Sequence, residues 1–241
     1  MLQVCLNGSR RRYERVPVTV SQIAEAAAEA VAAGAESVHV HPRGDLGRET
    51  LDGDLVALTV TAVRLAVPGI PVGVTTREEI APDGMERLAL VSRWPRPEDG
   101  GPDFASVNWH EAGAFDLATT LRTRRIDVEA GLWTPSAAAE FVGRHWPWRV
   151  LRVLVEAIPG RSPGGYGSWA AERILSALGS QPAPILVHGE ETWAWPVLRW
   201  AQKHGYDTRI GLEDTLFDEA GLRARGNAGL VREALSGRTP H

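Results

Sequence analysis

Short apolar runs alternate with longer amphipathic segments along all 241 residues, and this rhythm is the strongest constraint on the fold. The strand candidates are Leu2–Leu6, Ser37–His41, Ile70–Thr75, Phe104–Asn108, Ile126–Leu132, Arg149–Ala157, Ala183–His188 and Asp207–Leu212. Helical patterns separate them: Ser21–Ala33 with Ser21 as its expected N-cap, Leu51–Val67, Arg77–Arg93, Phe115–Arg124, Pro135–Arg144, Ser168–Leu178 and Thr192–Gly205, with Asn227–Leu235 closing the chain. Strands joined through helices pair in parallel, because a crossover returns the chain to the same edge. Repeated strand–helix units in about 250 residues fit a closed barrel. The expected class is therefore α/β, a single (β/α)8 TIM barrel spanning residues 1–241. An open doubly wound sheet is the alternative, since short apolar runs are easily miscounted.

Composition narrows the function. A net charge of −4 gives no basic surplus for nucleic acid or anionic lipid. The single cysteine, Cys5, excludes an intramolecular disulfide framework and a cysteine-based zinc knuckle. That suits a reducing cytoplasm, the expected location. The opening MLQVCLNGSRRRYERVP has its apolar and basic parts in the reverse of signal-peptide order. No apolar stretch is long enough for a membrane helix. Pro95–Pro102 and Arg161–Gly167 read as surface loops, and no repeat or domain linker stands out.

In such a barrel the chemistry sits at the C-terminal ends of the strands. The polar groups expected there are Asn7, His39, His41, Thr75, Asn108, Glu129, Glu156, His188, Arg209, Glu213 and Asp214. His39-Val40-His41 is the sharpest signal: alternation puts both imidazoles on one side of the strand, about 7 Å apart at the Cα. Two readings stand side by side, a pair of unrelated strand-end residues and two ligands of one divalent ion. Glu213, ending the strand that closes against the first, favours the second. A His-His-carboxylate set leaves positions open for water or substrate. Zinc is the default, with Mn, Fe and Co compatible on ligand type. Asp214 serves as a base beside the metal or fixes Arg209, or else it only caps the next helix. The run Arg10–Arg12 is either an anion grip or a solvated loop. His110, His145, His204 and His241 read as surface groups, and Trp146, Trp148, Trp193, Trp195 and Trp200 as core or interface cover.

The chain also resembles the β-keto acid cleavage enzymes. The matching pieces are Asn7-Gly8, Pro17-Val18-Thr19, Val38-His39-Val40-His41-Pro42-Arg43, Thr75, Asn108, Asp127-Val128-Glu129 and Arg209-Ile210-Gly211-Leu212-Glu213-Asp214, ending with Asn227-Ala228-Gly229. The joint presence of His-x-His-x-Arg and Arg-x-Gly-x-Glu-Asp makes the likeness specific. It implies a metal-dependent cytoplasmic barrel, usually with Zn2+ and often a homotetramer. It also implies a retro-Claisen transfer in which a β-keto acid and acetyl-CoA give acetoacetate and a new acyl-CoA. By position His39, His41 and Glu213 would hold the metal. Arg209 and Asp214 would form the dyad beside it, with Glu129 assisting proton transfer and Thr75 at the substrate. Asn7, Arg10, Arg43 and Asn108 are the remaining substrate-binding candidates.

Three departures from that family set expectations of their own. Arg10 stands where the family pattern has an acid that reads a substrate amino group, so a neutral or anionic tail is expected. Thr75-Thr76-Arg77 replaces a Thr-Gly-Gly anion cradle, and Glu156 is gained after the sixth strand. The alternatives are a CoA-independent hydrolase or lyase on a small oxoacid, and a non-catalytic metal-containing barrel that binds one. The partners implied are a small β-keto acid, acetyl-CoA and further copies of the chain, with no nucleic acid or membrane.

Overall fold

The computed structural model describes residues 1–10, 15–144 and 149–236. Eight parallel strands close into a barrel in chain order: β1 (Leu2–Cys5), β2 (Ser37–Val40), β3 (Val72–Thr75), β4 (Phe104–Asn108), β5 (Asp127–Leu132), β6 (Arg152–Ala157), β7 (Ile185–Gly189) and β8 (Asp207–Ile210). Closure comes from β1 against β8, with Gln3 opposite Arg209. The open-sheet alternative is thereby excluded. The helices are α1 (Val20–Ala32), α2 (Gly53–Ala66), α3 (Gly84–Val91), α4 (Ala114–Thr123), α5 (Pro135–Gly143), α6 (Gly167–Leu178), α7 (Ala194–Lys203) and α8 (Asn227–Ser236). Among the described residues no helix is long and apolar enough to cross a membrane.

Local chemistry sets where the helices begin. α1 starts from a capping box: the Thr19 hydroxyl accepts from Gln22 N, and the Gln22 amide oxygen accepts from Thr19 N. Thr19, not the expected Ser21, is the N-cap, because only it has an amide-bearing partner three residues on. Asp52 caps α2 by accepting from Asp54 N and Leu55 N, and Asp83 caps α3 in the same way. The third helix begins at Gly84 rather than Arg77, since Pro82 and the Asp83 cap hold the preceding segment out of the helix. α2 turns Val56, Thr59, Val60 and Val63 inward at helical spacing.

The strands are buried on both faces, as parallel strands under helices must be. Inside the barrel, β3 and β4 fit by size. A Cβ on Gly73 would fall 2.0 Å from the Phe104 ring, so the missing side chain is what admits the aromatic. The lower interior is polar. Gln3 of β1 donates to Glu129 Oε1 of β5 across the barrel at 3.1 Å, and Arg152 of β6 lies 3.3 Å from the same oxygen. Gln3 meets the register partners Glu129 and Arg152 there because all three point inward. Of the tryptophans read as cover, Trp195 is buried and donates to Phe217 O, and Trp193 and Trp200 pack on the core. His110 and His204 are exposed. Arg11, Arg12, His145, Trp146, Trp148 and His241 lie outside the described residues.

Candidate active site

A cavity of about 230 Å³ opens at the C-terminal ends of the strands. His39, His41, Arg209 and Glu213 line one side, and Thr75, Arg77, Ser106 and Asn108 another. Trp133, Glu156, Arg161, Glu190, Glu191 and Arg10 line it as well. The volume is below the roughly 300 Å³ where pockets for drug-sized ligands begin. A small acid fits it, and a nucleotide-sized body does not.

The seam between β1 and β8 builds the ligand set. Asn7 completes the pairing of β1 with β2 through its amide: Oδ1 accepts from His41 N at 2.9 Å and Nδ2 donates to His41 O at 3.0 Å. Asn227 does the same for the other edge, accepting from Leu212 N and donating to Leu6 O. Glu213 is then delivered over His39 and His41. Its Oε1 lies 3.3 Å from His41 Nε2, and its Oε2 lies 4.0 Å from His39 Nε2. One ligand atom from each of the three residues falls within 4.8 Å of the other two. Tetrahedral zinc with bonds of about 2.0–2.1 Å spaces its ligands about 3.3 Å apart. Glu213 Oε2 is buried with no hydrogen-bond partner, as an oxygen meant for an ion would be. The residues therefore fit a divalent metal.

Glu49, which sequence reasoning missed, supports that set from behind by holding His41 Nδ1. Metal-ligating histidines commonly hand their other nitrogen to a carboxylate in this way. It escaped notice because it comes from the loop before α2, at no motif spacing. Burial, opposed by Glu213, pushes the His39 imidazole down to about 3, so it is already neutral. Burial also disfavours charge on His41, but Glu213 and Glu49 outweigh it and raise that imidazole.

Arg209 stands between the two acids that follow β8. Its guanidinium donates to Glu213 Oε1 at 2.9 Å and to Asp214 Oδ1 at 3.0 and 3.1 Å. Asp214 is fully buried behind Arg209 and does not line the cavity. Of its expected places, the one facing substrate as a base is corrected, and the one fixing Arg209 is where it stands. Neither does it cap a helix, since α8 begins only at Asn227. Glu129 is corrected too: it sits low inside β5, engaged with Gln3 and Arg152, and not at the strand's end. Asn7 and Arg43 do not reach the cavity either. Arg43 instead donates to the carbonyls of Gly8, Arg10 and Gly47, bracing the loop after β1.

Thr75 and Asn108 do line the cavity. The Thr75 hydroxyl accepts from Arg77 N, and the Asn108 amide donates to Glu111, which is ion-paired with the buried Arg87. Arg10 lines it as well, but its charge is engaged: it donates to Glu213 O and pairs with Glu191. The anionic-tail reading of Arg10 is revised on that ground. Arg77 forms a two-point pair with Glu79, and Arg161 lies 3.6 Å from the same carboxylate, with its guanidinium 4.9 Å above Trp133.

The beta-keto acid cleavage enzyme family profile (BKACE) matches residues 1–237. The 3-keto-5-aminohexanoate cleavage enzyme of Acetoanaerobium sticklandii is 23% identical, over 94% of this chain and 86% of that protein. Among solved structures, ObcA superposes with a TM-score of 0.68 at 15% identity, and has been solved with oxaloacetate and with a C4-CoA adduct and oxalate. The match covers 92% of this chain and 61% of ObcA, so the chain spans about three fifths of that protein. An N-acetylmannosamine-6-phosphate 2-epimerase from Clostridium perfringens shares the barrel at a TM-score of 0.59 and 12% identity.

Proposed function

The chain belongs to the beta-keto acid cleavage enzyme family and is an enzyme of that type, and from this premise we propose that it exchanges acyl groups between a small β-keto acid and acetyl-CoA. The products are acetoacetate and a new acyl-CoA. One observation carries the reading: His39, His41 and Glu213 converge at ion-binding spacing on a cavity that Arg209 also enters. The ObcA complexes with oxaloacetate and a C4-CoA adduct lend support, as the same barrel accepts a keto acid beside CoA chemistry.

His39, His41 and Glu213 would hold a divalent ion, with Zn2+ the expected occupant. When bound there, the ion supplies Lewis-acid polarisation of the substrate's keto oxygen. Arg209, fixed by Asp214, presents its guanidinium to the oxyanion that develops on the attacked carbon. Thr75 and Asn108, on the neighbouring strands β3 and β4, offer a hydroxyl and an amide to the carboxylate end of the acid. The cavity admits the acid, while the CoA body stays at the mouth, where Arg161 and Arg77 lie.

The test is turnover of a panel of β-keto acids with and without acetyl-CoA, read by mass spectrometry. Formation of acetoacetate and the matching acyl-CoA supports the proposal. Cleavage at the same rate without acetyl-CoA replaces it with the hydrolytic reading. No cleavage of any acid by the metal-loaded protein refutes both.

A further inference from the structure

Among the described residues four arginines line the cavity, and they are not equally engaged. Arg209 is held by Glu213 and Asp214, and Arg10 by Glu191 and the Glu213 carbonyl. Arg77, on the loop after β3, and Arg161, on the loop after β6, share Glu79. Arg77 grips it through Nε at 3.0 Å and Nη2 at 2.9 Å, and its Nη1 takes no part in that pair. Arg161 Nη1 stands 3.6 Å from the same carboxylate, too far for a hydrogen bond. Two guanidiniums thus face the cavity over one shared carboxylate, and Glu79 itself is not part of the lining.

Arg161 is also held in place. Its guanidinium lies 4.9 Å above the Trp133 ring, and Trp133 packs in turn against His110 with ring centroids 4.1 Å apart. Stacking uses the face of a guanidinium and leaves its N–H edge free for a planar anion. The apolar residues of the lining, Trp133, Leu154 and Ile158, belong to β6 and to the turns after β5 and β6, the same side as Arg161. A short run of methylenes suits that strip, and a negative charge suits its end.

We propose that Arg77 and Arg161 bind a second carboxylate, at the end of the keto acid away from the one that Thr75 and Asn108 receive, so that the substrates of this enzyme are β-keto dicarboxylic acids. This deepens the acyl-exchange reading and rests on it for the reaction. The anionic tail first expected at Arg10 is read by these two cations instead. A singly charged carboxylate matches the one charge that Glu79 leaves uncancelled. The phosphates of CoA match less well, because they lie a pantetheine length from the sulfur while these arginines line the same small cavity as His39 and His41. The acids of the lining do not cancel the preference: Glu156 faces His188, Glu191 faces Arg10, Glu213 faces Arg209, and burial raises the Glu190 carboxyl toward neutrality. Glu79 is the resident counter-ion that the substrate joins or displaces. Hydrogen bonds from Arg77 hold its carboxyl down to about 2, so it competes as a carboxylate at working pH.

The experiment compares two acids of equal chain length, 3-oxoadipate and 3-oxohexanoate, with the full-length, metal-loaded protein and acetyl-CoA. The readout is the ratio of their kcat/KM values within one protein, so a fault in folding or in CoA binding cancels. Wild type should prefer the dicarboxylic acid by at least about tenfold, the low end for a hydrogen bond to a charged group. Arg77→Gln and Arg161→Gln should each cut that ratio by about tenfold, and Arg161→Lys should cut it less because the charge remains. Glu79→Gln frees both arginines and should raise the ratio several-fold, a gain that damage to the fold would not produce. A wild-type ratio near one, or a ratio that neither arginine variant alters, overturns the proposal. An equal loss with both acids, together with a raised KM for acetyl-CoA, also overturns it and gives the arginines to the CoA phosphates. Calorimetric titration of adipate and hexanoate without acetyl-CoA reads the subsite with no turnover. Tighter binding of adipate by a protein that transfers no acyl group would refute the acyl-exchange reading and leave the subsite in place.

Discussion

Replacing Glu49 tests whether His39, His41 and Glu213 are a metal centre or three polar neighbours. Glu49 holds His41 Nδ1 in a buried contact, with the His41 side chain 3% and the Glu49 side chain 15% exposed. A hydrogen bond to a charged group contributes about 1.5–3 kcal/mol net. Losing the carboxylate behind a ligating histidine costs about 10–100-fold in metal affinity. At about 1.4 kcal/mol per decade that is about 1.4–2.8 kcal/mol, so the two routes agree. Glu49→Gln keeps an acceptor and should weaken binding about tenfold. Glu49→Ala keeps nothing and should approach 100-fold. The assay is competition for Zn2+ with a chromogenic chelator at fixed pH and ionic strength. Thermal melts of the metal-free proteins serve as the control that each variant is folded at the assay temperature, since losing this contact also lowers stability. Affinities within twofold of wild type for both variants would show that Glu49 orients no ligand.

Further outcomes follow from the same contacts. Asp214→Asn should keep its metal and lose about 100-fold in kcat by misplacing Arg209 as an oxyanion donor, and Arg209→Lys should lose comparably because an ammonium cannot reproduce the fork onto Glu213 and Asp214; steady-state kinetics with metal analysis would decide, and near-normal rates would remove the dyad from the mechanism. Gly73→Ala should destabilise by about 1–3 kcal/mol or prevent folding, and adding Phe104→Leu should recover part of the loss in urea unfolding. Burial, reinforced by Asp214, raises the Glu190 carboxyl to about 7. The folded state therefore holds the proton longer than the unfolded chain, and stability falls as pH rises from about 4.5 to about 7. Glu190→Gln should match wild type at pH 4 and exceed it by roughly 1–3 kcal/mol at pH 8, measured by chemical denaturation.

The barrel was legible because a parallel strand under helices leaves an unambiguous record. Val38, Val40, Val72 and Val74 are apolar runs with helical periods on either side. The convergence of His39 and His41 was legible for the same reason, since a two-residue spacing on a strand fixes a common direction. Depth within the barrel was not legible. Glu129 and Glu156 both look like acids on strands, yet one engages Arg152 low in the interior and the other reaches the cavity. Which it is depends on strand register across the closed barrel, and that shear is set by all the strands together. Asp214 misled for a related reason: adjacent residues at a strand's end point opposite ways, and only the position of His188 shows where the second acid goes. Glu49 left no local mark, because its partner is chosen by the path of a loop.

Glu191 lies at the mouth with a φ of +51, a conformation that costs a residue with a side chain about 1–3 kcal/mol. Two anchors hold it there: its N–H donates to Asp214 O at 2.7 Å, and its carboxylate grips Arg10. The loop after β7 is thus the clasp that joins the turn after β1 to the turn after β8. Glu191→Gly would lift the backbone cost and cut the tie to Arg10 at once.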